Sequence, residues 1–152
     1  MKQPMIANTV TVMCAAHYGQ VDMAGMPYQE HPERVLHRML ARWPDATVDE
    51  QHAALLHDVL ADTSITEADL RRLGYSEVVV STVVAVTRDR NWPYHAWVQA
   101  IADSGVVSAI RVKWAENRDN ADPERLALLP EEVRIELAAR YAAALVVLEA
   151  AL

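Results

Sequence analysis

This sequence predicts an all-α chain, a bundle of about seven to nine helices, and three observations carry that prediction. Apolar residues recur at helical spacing, as Val35, Leu36, Met39 and Leu40 do. Two hydroxyl–carboxylate pairs three residues apart, Thr47 with Glu50 and Thr66 with Asp69, read as capping boxes at helix starts. The one β-branched run, residues 76–87, has no second strand to pair with. Propensity alone favours a strand there, yet a buried helix agrees better with its surroundings.

Taken in order, residues 5–19 form a first helix carrying Ile6, Val10, Met13, Cys14 and His17, ended by Gly19. Residues 20–29 are a loop punctuated by Ala24-Gly25 and Pro27. His31-Pro32 opens a second helix, because proline's missing N–H is no loss in a first turn, and Trp43-Pro44 stops it. A third helix runs from Thr47 through the stretch 53–63. A short fourth ends at Gly74, and residues 76–87 make the next. Pro93-Tyr94 begins a helix with Trp97, Val98 and Ile101 inward. Gly105 separates it from residues 106–120, and Pro130 precedes an Ala-rich helix to the C-terminus. The tryptophans, Trp43, Trp92, Trp97 and Trp114, read most simply as packing residues.

The 152 residues suit a single domain with a sizeable core. A net charge of −7 and a pI of about 5.3 argue against a general nucleic-acid or membrane-surface binder. The lone Cys14 leaves no internal disulfide and no Cys-based zinc framework, and fits a reducing cytoplasm. The N-terminus lacks the apolar stretch of a secretory signal, and no apolar run approaches membrane-spanning length. A cytoplasmic location is expected. Ala139, Ala142, Ala143 and Val146 on the last helix fit either a homo-oligomer contact or a core.

The chemistry concentrates in two places. His57, Asp58 and Asp62 sit inside an otherwise greasy segment, with Asp62 one helical turn beyond Asp58. Carboxylates and an imidazole in such a setting are costly unless paired or bound to a cation, so a metal ion is the economical reading; a solvated helix face is the bland one. Residues 110–120 repeat the oddity, with Glu116 and Asn120 four apart on one face, and His31 stands at a helix start.

The order His…His-Asp…(Asp/Glu) resembles the HD superfamily of metal-dependent phosphohydrolases. More closely, the chain looks like the RelA/SpoT-type hydrolase domain and the stand-alone small alarmone hydrolases. The motifs are Ala16-His17-Tyr18-Gly19-Gln20, Gly25 through Pro32, Ala54 through Thr63, Val86-Thr87 and Val112 through Asn120, in the family's order over residues 10–145. The resemblance implies an HD-domain helical bundle and His31, His57, Asp58 and Glu116 as ligands of a divalent ion, Mn²⁺ for preference. Mixed imidazole and carboxylate donors suit such an ion. It would acidify a water and polarise a phosphoryl oxygen. The implied reaction is hydrolysis of the 3′-pyrophosphate of a small-molecule nucleotide, a guanosine or adenosine polyphosphate such as ppGpp, releasing pyrophosphate. Asp62 and Asn120 match the family's catalytic positions. Met23, Arg88, Arg90, Lys113 and Tyr141 fall where the substrate is contacted, although the arginines also read as loop residues, Lys113 as an ion-pair partner and Tyr141 as core.

Three departures stand in the same pocket. The family's Glu-Asp is here Ala61-Asp62, and Ala61 cannot handle the proton of an attacking water. General acid–base help is typically worth about 10²–10⁴-fold, so its loss implies a slower enzyme unless Asp62 or the metal suffices. Glu116 replaces the usual Asp and reaches further by about 1.5 Å. The basic pair that grips the nucleotide is Asp22-Met23. Hydrolysis of an alarmone, hydrolysis of a different nucleotide, and binding without turnover therefore all remain readings of the sequence.

Overall fold

The computed structural model describes residues 2–152. Among them the chain forms ten helical segments and no strand: α1 (Ile6–Ala16), α2 (Glu30–Arg42), α3 (Val48–Leu56), α4 (Val59–Asp62), α5 (Glu67–Arg72), α6 (Glu77–Ala85), α7 (Tyr94–Asp103), α8 (Val107–Asn120), α9 (Pro123–Leu126) and α10 (Glu131–Ala150). The all-α expectation holds. The β-branched run is the helix α6, capped by Ser76 and burying Val79, Val80, Thr82 and Val83, so burial overrides strand propensity.

The centre is α3. Ala53, Ala54, Leu55 and Leu56 are all fully buried, an all-round apolar surface that only an interior helix can satisfy. It packs against α1, α2, α6 and α8, while α2 also lies along α8 and α10 lies across α7 and α8. Both capping boxes form as read: the Thr47 hydroxyl accepts from the Glu50 amide, and Glu50 reaches back to the Thr47 amide at 2.7 Å. Thr66 and Asp69 do the same for α5. Gly19 takes φ +78°, a left-handed turn that ends the first helical region cheaply.

The structure departs from the sequence reading in three places. The third helix does not run through residue 63: it stops at Leu56, turns at His57 and Asp58, and resumes as α4. The His57 ring donates from Nδ1 to the Ala54 carbonyl at 2.8 Å, taking the acceptor that the next amide would use in a continuous helix. The short α9 was not expected; Asp122 caps it and Pro123 occupies its first turn. Trp92 is exposed rather than packed, whereas Trp97 and Trp114 are buried and Trp43 meets Trp114 edge-on at 5.0 Å. No described helix is long and apolar enough to cross a membrane.

Because α3 holds the bundle together, its cap should be felt globally. Thr47→Ala should lower stability by about 1 kcal/mol, read as a lower urea midpoint at unchanged slope. An unmoved midpoint would mean that the box contributes nothing beyond solvation.

Candidate metal centre and its cavity

The break in α3 has a chemical consequence. It turns His57 and Asp58 toward His31, on the first turn of α2, and the three side chains converge. His57 Nε2 lies 3.3 Å from His31 Nε2 and 2.9 Å from Asp58 Oδ2, and His31 Nε2 lies 3.8 Å from that same oxygen. Both imidazoles are essentially buried.

Hydrogen bonding on the far side of each ring decides what these atoms offer. His57 Nδ1 faces the Ala54 carbonyl, which can only accept, so Nδ1 carries the proton. His31 Nδ1 faces Asp119 Oδ2 at 2.7 Å, and a carboxylate likewise only accepts. In their neutral forms both rings therefore present Nε2 lone pairs to each other and to Asp58. Such an arrangement is repulsive until a cation, a proton or a metal ion, sits among the three. Adjacent ligands of an octahedral ion with bonds of ~2.1 Å stand ~3 Å apart, close to the observed separations. The residues fit a divalent ion.

Without a metal the site draws a proton. Burial disfavours a charged His57, but the Asp58 carboxylate beside it more than offsets this and holds the imidazole up at about 9. Asp58, opposed by burial but facing His57, His31 and the Tyr28 hydroxyl, stays far below the ordinary carboxylate range. Tyr28 donates its hydroxyl to Asp58 Oδ2, and burial together with that carboxylate keeps it protonated.

A cavity of about 530 Å³ opens above these groups. Its lining includes the proposed ligands His31, Asp58 and Glu116 with Asn120, the charged Asp22 and Arg125, and the apolar Met23, Leu128, Leu129 and Leu137 with Tyr141. Glu116 faces the same space but is not among the three converging donors; its carboxylate takes Lys113 Nζ at 2.7 Å and the Asn120 amide at 3.5 Å. Lys113 itself is buried over the Trp97 ring and is absent from the cavity lining. Met23 and Tyr141 line the cavity. Arg88 and Arg90 do not: Arg88 lies over the Tyr94 ring, and Arg90 is exposed, 4.0 Å from Asp62. Asp62 sits at the other flank of the His-Asp turn, where burial and the Asp58 charge raise its pKa, and Gln20 holds its backbone carbonyl. Ala61 is exposed.

Two participants escaped the sequence reading. Tyr28 lies in the turn just before α2, where no helical spacing ties it to Asp58. Asp119 is fully buried, takes His31 and three arginines, Arg34, Arg38 and Arg125, and lies 88 positions from His31 in the chain. No local pattern announces a pairing that distant.

No protein-family profile and no curated protein matches the chain. Among solved structures it is similar to a metazoan ortholog of SpoT, described as hydrolysing ppGpp and playing a role in starvation responses. The TM-score is 0.76 at 21% identity, covering 99% of this chain and 96% of that one. The chain thus shares the fold of that protein, an all-α bundle as the sequence predicted.

The raised His57 pKa makes a signed prediction. In the metal-free protein the imidazolium contributes stability that is full below about 6.5 and is lost as pH rises through about 9. Melting temperature should fall across that window. At pH 7 each divalent ion bound should displace about one proton, measurable by calorimetry in buffers of different ionisation enthalpy. Binding without proton release would mean that the pair is already neutral.

Proposed function

We propose that this protein is a divalent-metal phosphohydrolase that removes the 3′-pyrophosphate of a guanosine or adenosine polyphosphate such as ppGpp, with Mn²⁺ as the resident ion. The observation that carries the reading is the fixed pair of imidazole lone pairs beside Asp58, opening on a nucleotide-sized cavity. The fold shared with a protein described as hydrolysing ppGpp supports the choice of substrate.

His31, His57 and Asp58 would hold the ion, with Glu116 as a fourth donor from the cavity wall. Bound there, a divalent ion lowers the pKa of a water and polarises a phosphoryl oxygen. The chain's own residues do the remainder. Tyr28 orients Asp58 by donating to it. Asp62, with its raised pKa, is the carboxylate suited to take a proton from the attacking water in the absence of a Glu at position 61. Asn120 can donate to a phosphoryl oxygen, and Met23 and Tyr141 offer surfaces for the base. The water oxygen bonds to the phosphorus carried by the 3′-oxygen, and that P–O bond breaks. The proton taken from the water passes to the departing 3′-oxygen, and the products are pyrophosphate and a nucleotide with a free 3′-hydroxyl.

One observation favours a second reading, hydrolysis of a less charged nucleotide. Asp22 lines the cavity where cations would help a polyphosphate, and it is pinned there by the Ala24 and Met26 amides and by Arg125 at 3.2 Å. Those donors hold its pKa down against burial, so it remains a fixed negative charge.

The metal-loaded protein, incubated with ppGpp, pppGpp and ppApp, should release pyrophosphate from at least one, and His57→Ala should release none. Silence on all three, with metal bound, would sink the 3′-pyrophosphate reading. Asp22→Asn keeps the acceptor that the two amides need and removes the charge. It should raise kcat/KM for a polyphosphorylated substrate about tenfold, the ~1.4 kcal/mol expected of one like charge near a solvated wall. No gain would mean that Asp22 does not oppose the phosphates.

A further inference from the structure

Asp119 stands out among the groups that this mechanism leaves unused. Its side chain is wholly inaccessible. One oxygen takes the His31 Nδ1 proton at 2.7 Å and Arg125 Nη1 at 2.6 Å; the other takes Arg34 Nε and Arg38 Nε, each at 3.0 Å. Arg125 also donates to the Asp119 backbone carbonyl at 3.0 Å and reaches Asp22 with its other terminal nitrogen. Arg34 and Arg125 both line the cavity. A single carboxylate thus touches a proposed metal ligand and both arginines that line the cavity.

We propose that Asp119 is the positioning residue of the metal centre: by accepting the His31 Nδ1 proton it fixes the tautomer that leaves Nε2 free for the ion, and it holds Arg34 and Arg125 against the cavity wall. The inference rests on the metal reading above. The imidazole has two tautomers, and only the one protonated at Nδ1 can ligate through the nitrogen that faces His57 and Asp58. A carboxylate enforces that choice because it has no proton to give. An amide in its place can turn its NH₂ toward the ring, giving up the Arg125 contact at that position, and so permit the opposite tautomer, which puts a proton where the ion should be.

Asp119→Asn tests this, with Asp122→Asn as its control. Asp122 binds the same Arg38, at 2.5 Å, but does not touch His31, and an asparagine there can still cap α9. By calorimetric titration with Mn²⁺, Asp119→Asn should bind the ion roughly 10- to 100-fold more weakly, while Asp122→Asn should match the parent. Equal affinity in the parent and Asp119→Asn would overturn the inference and leave the metal reading standing. Absence of Mn²⁺ binding to the parent would overturn the metal reading and this inference with it. Should Asp119→Asn fail to fold, the unmodified protein still decides. Long-range ¹H–¹⁵N correlation spectra of the metal-free chain at a pH where the His31 ring is neutral should show its proton on Nδ1. A proton on Nε2 would overturn the proposal.

Discussion

Everything at this site depends on a single constraint, that two buried imidazoles cannot share a lone-pair face without a cation. The constraint is built from the outside of each ring inward. The Ala54 carbonyl sets one tautomer and Asp119 the other, and neither partner can reverse its role. The helix break at His57 and Asp58 accompanies it: the chain leaves the helical path where the His57 ring meets the Ala54 carbonyl.

The charges around the site are arranged unevenly. Beneath His31, Asp119 pairs with three guanidinium groups, which also reach Glu30, Asp122 and Asp22, so its charge is well compensated. Facing the cavity, Asp58, Glu116, Asp22, Glu30 and Glu124 outnumber Arg34 and Arg125. A divalent ion offsets two of those charges. What remains favours a ligand that brings its phosphate to the ion and lays its uncharged part on Leu128, Leu129, Leu137 and Tyr141. Under the proposed function the acidic lining would limit how much further negative charge a ligand can carry, with Asp22 held in place by two backbone amides and Arg125.

How much of this was legible in the sequence depended on the range of each interaction. The Thr47–Glu50 and Thr66–Asp69 boxes are three-residue devices, and both formed as read. The helical identity of residues 77–85 was recoverable because a strand needs a partner and none was available. His57 and Asp58 were found as chemistry out of place in apolar surroundings and His31 through the motif order, and the structure brings the three together. Long-range pairings were not legible. Asp119 looks like one more charge at a helix end until α2 is laid beside α8, and only then do Arg34 and Arg38 reach it. Arg88 and Arg90 matched the family's loop by position, yet they face Tyr94 and Asp62 rather than the cavity. Position in a motif does not say where a long flexible side chain will lie. The break after Leu56 was missed for a related reason: periodicity registers apolar stripes, whereas the break coincides with a contact between a ring nitrogen and a carbonyl that no stripe reveals.

The Asp119 cluster also raises a question of cost. Withdrawing a carboxylate wholly from water is expensive, and buried ion pairs commonly do no more than break even against apolar residues of the same volume. Stability alone therefore gives little reason to build a buried cluster of one aspartate and its cationic partners under α2. What an apolar residue cannot do is accept a proton from one chosen nitrogen of His31 while holding two arginines at the edge of the cavity. The arginines, for their part, need a buried anion to keep them from folding out into solvent, and Arg125 spans from that anion to Asp22 on the opposing loop. The same carboxylate thus sets the ligand face of the metal centre and the position of the cavity's cations, which is the return that offsets its desolvation.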